Sequence, residues 1–483
     1  MRAGGKLRTR LGGVDVTDEL RWLSAVETAE AIRAGRLSRR EVLEAAISRI
    51  ERIDAVLSSV VIPLFDRARD ADAAADRDGV FAGVPILLKD VGEELAGTHN
   101  WAGTRGLAAS QYRSKVTTPL AQRFEELGFV FVGKSACPEL SAGSTTEPAG
   151  FAPTCNPWSL DRTVGGSSGG AAAAVAAGLV PVAHGSDATG SLRFPAAHCG
   201  VVTLKPSRGR IPITPPTGQS DPLAAWTQFA LARDIKDLAA LFPLLSNNAP
   251  SPIGWPESLR VGLLAHDPII GLPVAAECAA AVDRLGDHLS SMGHRVEMAF
   301  PPALATMFEP FWKARSVVGP VVRREQVDWM SRRLGRPCKP GDLSDEVLEL
   351  ADRAVHVDPD AVRIAYDNIR EAVAPIPAWW DQGFDVLVTP VTLQPAWPLG
   401  EDAPARTGMF CAPFSFTGQP ALVVPVSLTG AGPPVGVQLV GRAGDDEKLL
   451  NLGAALQPAM GWLERRPPAS PHGPSPTESV DER

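Results

Sequence analysis

Residues 164–211 contain, in order, Val164-Gly-Gly-Ser-Ser-Gly-Gly, the run Ala171-Ala-Ala-Ala-Val-Ala-Ala and His184-Gly-Ser-Asp-Ala-Thr-Gly-Ser-Leu-Arg-Phe-Pro-Ala-Ala. Two serines, Ser167 and Ser191, therefore stand in glycine-rich turns on either side of one small helix. Glycines at 165, 166, 169 and 170 permit positive φ and a close approach of the backbone to another group, a density that a solvated linker does not need. Residues 171–177 are strong helix formers and Gly178 stops them, so free N–H groups and the positive end of the helix dipole face the loop at 165–170. Pro195 marks a place where a second helix can begin. The backbone amides of Ala188, Thr189, Gly190 and Ser191 are positioned in sequence to converge on an oxyanion. Ser191 is the candidate nucleophile.

Upstream, Gly83-Val-Pro-Ile-Leu-Leu-Lys-Asp-Val predicts a short buried strand over 84–88 with Lys89 at its end. A lone lysine after an apolar run usually snorkels to solvent. The paired serines change that reading, because a lysine acts as a base only when neutral, and apolar neighbours such as Ile86, Leu87 and Leu88 lower its pKa in that direction. Asp187 and Arg193 flank the Ser191 turn and are expected to form a buried ion pair that fixes its shape, with Ser168 a further supporting residue.

These segments resemble the amidase signature family. The resemblance rests on GGSSGG, on a serine 24 positions after Ser167 (191 − 167) in Asp187-Ala-Thr-Gly-Ser-Leu-Arg, on Leu204-Lys-Pro-Ser-Arg-Gly-Arg, and on a lysine 78 positions before Ser167 (167 − 89). It extends to Gly133-Lys-Ser-Ala-Cys-Pro-Glu, Cys155-Asn-Pro-Trp, Phe384-Asp-Val-Leu-Val-Thr-Pro, Gly418-Gln-Pro-Ala and Pro434-Val-Gly-Val-Gln-Leu-Val-Gly, covering most of 20–460. It implies one large α/β domain, a mixed twisted sheet covered by helices on both faces. It also implies a Ser–cis-Ser–Lys triad in which Ser191 attacks a carbonyl, Ser167 relays its proton and Lys89 is the base. Two departures stand out: Thr189-Gly190 where the family usually has two glycines, and Val164 where it usually has proline.

Members of that family cleave simple, aryl, fatty and oligomeric amides, and some cleave carbamates. The resemblance thus implies a hydrolase of a small amide, an aryl amide or a carbamate. Two other roles share the fold: the glutaminase subunit of a tRNA-dependent amidotransferase, which needs partner subunits, and a binding subunit without activity, which conflicts with an intact Lys89, Ser167 and Ser191.

Two motifs point elsewhere and fail on context. Gly128-Phe-Val-Phe-Val-Gly-Lys-Ser matches the P-loop pattern, yet its four central residues are apolar strand formers and Pro138 follows where a helix should start, so 130–133 is read as a core strand. Gly165-Gly-Ser-Ser-Gly matches a nucleophile elbow, which needs a strand just before it and a partner histidine. Residues 156–164 read as a loop, and His184 and His198 are read as packing residues.

The chain has 483 residues, 45% of them apolar, ample for a large core; no apolar run reaches the ~18 residues that span a bilayer. The basic start of the chain leads into acidic, polar residues 15–21 and not an apolar signal core, which predicts a cytoplasmic protein with no membrane role. A net charge of −8 and the lack of a basic stripe with aromatics argue against nucleic acid as a partner. Six separated cysteines and eight scattered histidines show no metal spacing, so neither metal nor other cofactor is expected. A small-molecule substrate is the expected partner, with a homodimer left open.

Two capping boxes, Ser24-Ala-Val-Glu and Ser38-Arg-Arg-Glu, predict an N-terminal helical hairpin. Residues 300–382 turn helical and aromatic, with weak family likeness, as a region that shapes a substrate funnel would. Strands are expected at 386–388, 421–425 and 435–440, and a last helix capped by Asp445-Asp-Glu. The expected organisation is a flexible 1–20, a domain over 21–465 with its core motif at 83–211, and a disordered tail at 466–483.

Overall fold

The computed structural model describes residues 20–73, 79–214, 217, 220–247, 257–266, 268, 273–404, 406–430 and 432–468. The flexible start and the disordered tail expected from sequence fall outside these residues, except for Leu20 and residues 466–468.

Thirteen strands are described: β1 Val60–Pro63, β2 Pro85–Lys89, β3 Val130–Ser135, β4 Cys155–Asn156, β5 Ser159–Thr163, β6 Val182–Asp187, β7 Val202–Lys205, β8 Thr227–Ala232, β9 Arg260–Leu263, β10 Arg295–Met298, β11 Val386–Pro390, β12 Ala421–Leu428 and β13 Pro434–Val440. All except β4 and β5 form one sheet in the order β1-β3-β2-β6-β8-β7-β12-β13-β11-β9-β10. The pairs β3/β2, β2/β6, β11/β9 and β9/β10 are parallel and the rest are antiparallel, so the sheet is mixed. Its central strands β2, β3, β6 and β13 are buried along their whole length because helices cover both sides. Alternation on β12 shows the two layers: Leu422 lies against Gly453 of the helix Asp446–Met460, whereas Val423 lies beside Ala197 of the helix Arg193–Cys199.

Both N-terminal capping boxes form, Ser24 with Glu27 and Ser38 with Glu41, and open the helices Ala25–Arg33 and Arg39–Leu57. The P-loop match is dissolved by β3, which runs straight through Gly133 with every residue buried, leaving no phosphate-wrapping turn. Two local readings need correction. Residues 156–164, read as a loop, include β5, which pairs with β4 as a separate two-stranded ribbon. Asp445 does precede the last helix, but its carboxylate accepts from the Arg442 amide and pairs with Lys448, so it gives the helix no side-chain cap.

The helical region contributes Phe308–Leu334, Asp345–Asp352 and Pro359–Val373. It packs in a second core shared with Leu387, Ala421 and Val440 of the sheet, in which Trp379 stacks on Phe384 and meets Trp380 edge-on.

Candidate active site

The site is assembled at the carboxyl ends of β2 and β6, which are parallel neighbours. Lys89, the last residue of β2, is wholly buried, and its Nζ lies 2.8 Å from Ser167 Oγ, 3.0 Å from Ser168 Oγ and 3.0 Å from Ser186 Oγ. Burial brings the Lys89 ammonium down to about 8, with nearby Cys137 and Asp187 acting in the opposite direction.

The protons available to this cluster set what it can do. The Ser168 hydroxyl donates to the Ser186 carbonyl at 3.1 Å and accepts from the Ser186 amide at 3.2 Å, so it meets Lys89 as an acceptor. An ammonium has three donors, whereas a neutral amine has two and a lone pair. With Ser168 and Ser186 accepting two N–H groups, the contact to Ser167 runs either way. It is N–H to oxygen in the charged state, and Ser167 O–H to the lone pair in the neutral one. The neutral arrangement is a hydroxyl aimed at a base.

Ser167 and Ser168 lead into the helix Gly169–Ala176, whose small side chains let it lie completely buried beside β2, β3 and β6. The Gly166–Ser167 peptide is cis. Gly166 is required because a Cβ there would come 2.2 Å from the Thr145 carbonyl oxygen. The Ser167 hydroxyl also sits 2.6 Å from Ser141 Oγ.

The Ser191 turn is tied to this loop by the Ser168 amide, which donates to the Ser191 carbonyl at 3.1 Å. Its shape comes from a buried ion pair: Arg193 reaches the two oxygens of Asp187 at 2.9 and 3.0 Å, with both side chains fully buried. Arg193 also donates to the Cys411 carbonyl, Ser415 Oγ and Gln438 Oε1. Burial pushes the Asp187 carboxyl up, but the Arg193 charge and its hydrogen bonds outweigh that and hold it below the usual carboxylate range. The same carboxylate accepts from the amides of Gly190 at 2.7 Å and Leu192 at 3.2 Å.

That last contact corrects one of the four amides proposed from sequence for an oxyanion. The Gly190 N–H is engaged by Asp187, whereas the amides of Ala188, Thr189 and Ser191 donate to no acceptor among the described residues. Gly190 is still indispensable: its φ is 133°, and a Cβ there would lie 2.3 Å from the Phe194 ring. Thr189 does not take a positive φ, so its β-branch meets no backbone conflict in the place where glycine is usual. Ser191 is partly exposed, and its hydroxyl has no hydrogen-bond partner among the described residues, Ser167 included.

The histidines lie apart from this chemistry. Lys89 donates its backbone N–H to His184 Nδ1 at 3.4 Å, the other ring nitrogen faces Gln228, and burial takes the imidazole down to about 3. His198 packs edge-on against Trp397 and contacts Thr392. Among the described residues no histidine hydrogen-bonds Ser167, the partner that an elbow nucleophile there would need. Ser141 and Ser186 were missed from sequence. Ser186 had a readable signal, since it lies inside the quoted motif on a strand adjoining that of Lys89; Ser141 had only a nearby Pro138 and Gly143 to mark a turn.

Among the described residues no three His, Cys, Asp or Glu side chains come together to hold a metal ion, and no helix is long and apolar enough to cross a membrane.

The Amidase family matches residues 41–450. The chain is 37% identical to the 6-aminohexanoate-cyclic-dimer hydrolase of Paenarthrobacter ureafaciens, over 92% of this chain and 96% of that protein. A solved structure of a 6-aminohexanoate cyclic dimer hydrolase complexed with substrate superposes with a TM-score of 0.87 at 36% identity, covering 93% of this chain and 99% of the other. A bacterial aryl acylamidase of the amidase signature enzymes shares the fold, with a TM-score of 0.81 at 24% identity, over 93% of this chain and 100% of that one.

Proposed function

The chain belongs to the amidase family and hydrolyses amide carbon–nitrogen bonds, and we propose that it does so on small aliphatic amides through an acyl-enzyme at Ser191. In this reading neutral Lys89 takes the proton of Ser167 while Ser167 takes that of Ser191, and the Ser191 oxygen adds to the substrate carbonyl. The free amides of Ala188, Thr189 and Ser191 receive the oxyanion. Collapse expels the amine, which leaves with the proton that returns from Lys89 through Ser167. Water then attacks the ester by the same relay and regenerates the Ser191 hydroxyl.

The observation that carries this reading is the Lys89–Ser167 contact of 2.8 Å in a buried cluster whose hydrogen bonds can be satisfied by a neutral amine as well as by an ammonium. The unpartnered Ser191 hydroxyl supports it, because no hydrogen bond among the described residues holds it away from Ser167; catalytic hydrogen bonds commonly tighten only with substrate bound. The aliphatic substrate class is supported by the relatives, which act on a cyclic dimer of 6-aminohexanoate.

The purified chain alone should be assayed against aliphatic lactam dimers and linear amides, anilides, carbamates and glutamine. Fastest turnover of an aliphatic amide, lost in Ser191→Ala, is the expected result. Preference for an anilide or a carbamate would overturn the substrate class. Glutamine hydrolysis only would favour an amidotransferase subunit.

A further inference from the structure

Resting on that reading, we infer that Ser141 is a positioning residue of the proton relay, acting through Ser167. The Ser167 oxygen carries one proton and two lone pairs. When Lys89 is neutral, the proton points to its nitrogen; Ser191 needs one lone pair to pass its own proton on, and the Ser141 hydroxyl, 2.6 Å away, fills the other. Ser141 thus keeps the Ser167 proton aimed at Lys89. It also supplies a donor to the Ser167 oxygen at the moment that oxygen has given its proton up.

The backbone is built to hold this hydroxyl in place. Leu140 and Ser141 both adopt the left-handed region, at φ 53° and 61°, which non-glycine residues keep only when their surroundings impose it. Three contacts do so here: the Leu140 amide donates to the Ala102 carbonyl, the Ser141 amide to the Pro138 carbonyl, and the Gln326 side chain to the Leu140 carbonyl. The preceding Glu139 is anchored by the amide and hydroxyl of Ser344.

The charged state of Lys89 gives a sign to test. An ammonium donates to Ser167, whose own proton must then find an acceptor, and Ser141 Oγ is the one within reach in this structure. Without Ser141 the charged state leaves a buried hydroxyl proton unpaired, whereas the neutral state leaves only a lone pair unfilled. An orphaned donor is the worse of the two. Loss of Ser141 should therefore slow acylation and yet move the acid limb of the pH profile to lower pH.

The test compares Ser141→Gly, which accepts the left-handed backbone freely, with Ser141→Ala, which does not. Both should show kcat reduced by roughly tenfold with KM little changed, the scale of one lost hydrogen bond to a reacting group. In both, the acid limb of kcat/KM should shift downward. A purely structural role would make the glycine variant the healthier one and leave the limb in place. Wild-type kcat and an unmoved limb in Ser141→Gly, with a phosphonate still labelling its Ser191, overturns the role of Ser141 alone. No label on Ser191 of the wild type overturns the triad reading, and the role of Ser141 with it.

Discussion

Replacing Arg193 by methionine removes the charge that organises the Ser191 turn while leaving an unbranched apolar side chain about as long as the aliphatic stem of arginine. In the wild type, Arg193 and Asp187 are both fully buried, and Arg193 also satisfies the Cys411 carbonyl, Ser415 and Gln438. Breaking a buried pair by removing one partner costs about 3–5 kcal/mol, because the other charge stays buried without compensation. With roughly 2.1 cal/mol/K of unfolding entropy per residue, 483 residues give about 1 kcal/mol/K, so the loss reads as a fall in Tm of about 3–5 °C. The deficit should also depend on pH. In the wild type the Asp187 carboxyl is held below its unfolded value, so its contribution is present above ordinary carboxylate pKa values and fades only in acid. In Arg193→Met burial, the largest influence on that carboxyl, is opposed only by Lys205 and the amides of Gly190 and Leu192 and is expected to raise its pKa, so the variant loses further stability as pH rises from 5 to 8. Since Asp187 holds the Gly190 and Leu192 amides, the turn loosens, and kcat should fall roughly 10²-fold, the usual cost of misplacing a reacting group by about 1 Å. Scanning calorimetry at several pH values with steady-state kinetics checks this. A Tm within 1 °C of wild type across that range, with unchanged kcat, would refute the claim that this pair shapes the turn.

Three other outcomes are expected. The kcat/KM profile should fall with unit slope below about pH 8, as Lys89 gains its proton and ceases to be a base; a profile flat down to pH 6 would exclude Lys89 from that role. Gly190→Ala should lose activity and stability together, since its Cβ would clash with the Phe194 ring at a φ of 133°, and a soluble, fully active variant would contradict the turn geometry. Thr189→Gly should fold normally and change relative rates among acyl groups, because the threonine side chain lies at the partly exposed turn and strains nothing; equal rates across the panel would show it to be a neutral replacement.

Much of this architecture was legible in the sequence because its signals are local. The capping boxes at Ser24 and Ser38 announce helices through residues three positions apart, and the apolar runs ending in Lys89 and in Gly133 are long enough to be read as buried strands. The serine turns were legible for the same reason, since dense glycine has few uses other than tight backbone. What could not be read depends on contacts between distant residues. Ser141 is 26 positions from Ser167, and Arg193 finds Gln438 from 245 positions away. The fate of the Gly190 amide was hidden differently. Whether it points into the site or back to Asp187 depends on a dihedral angle, and a Thr-Gly pair permits either.

If Ser191 carries the acyl group, it is the residue that a serine-directed reagent must modify. Treating the enzyme with a sulfonyl fluoride, then measuring intact mass and mapping the modified peptide, tests it directly. One adduct per chain is expected, on Ser191, absent from Ser191→Ala, whose turnover should also be lost, and formed more slowly in Lys89→Ala and Ser167→Ala. An adduct on Ser167, or near wild-type turnover by Ser191→Ala, would contradict it.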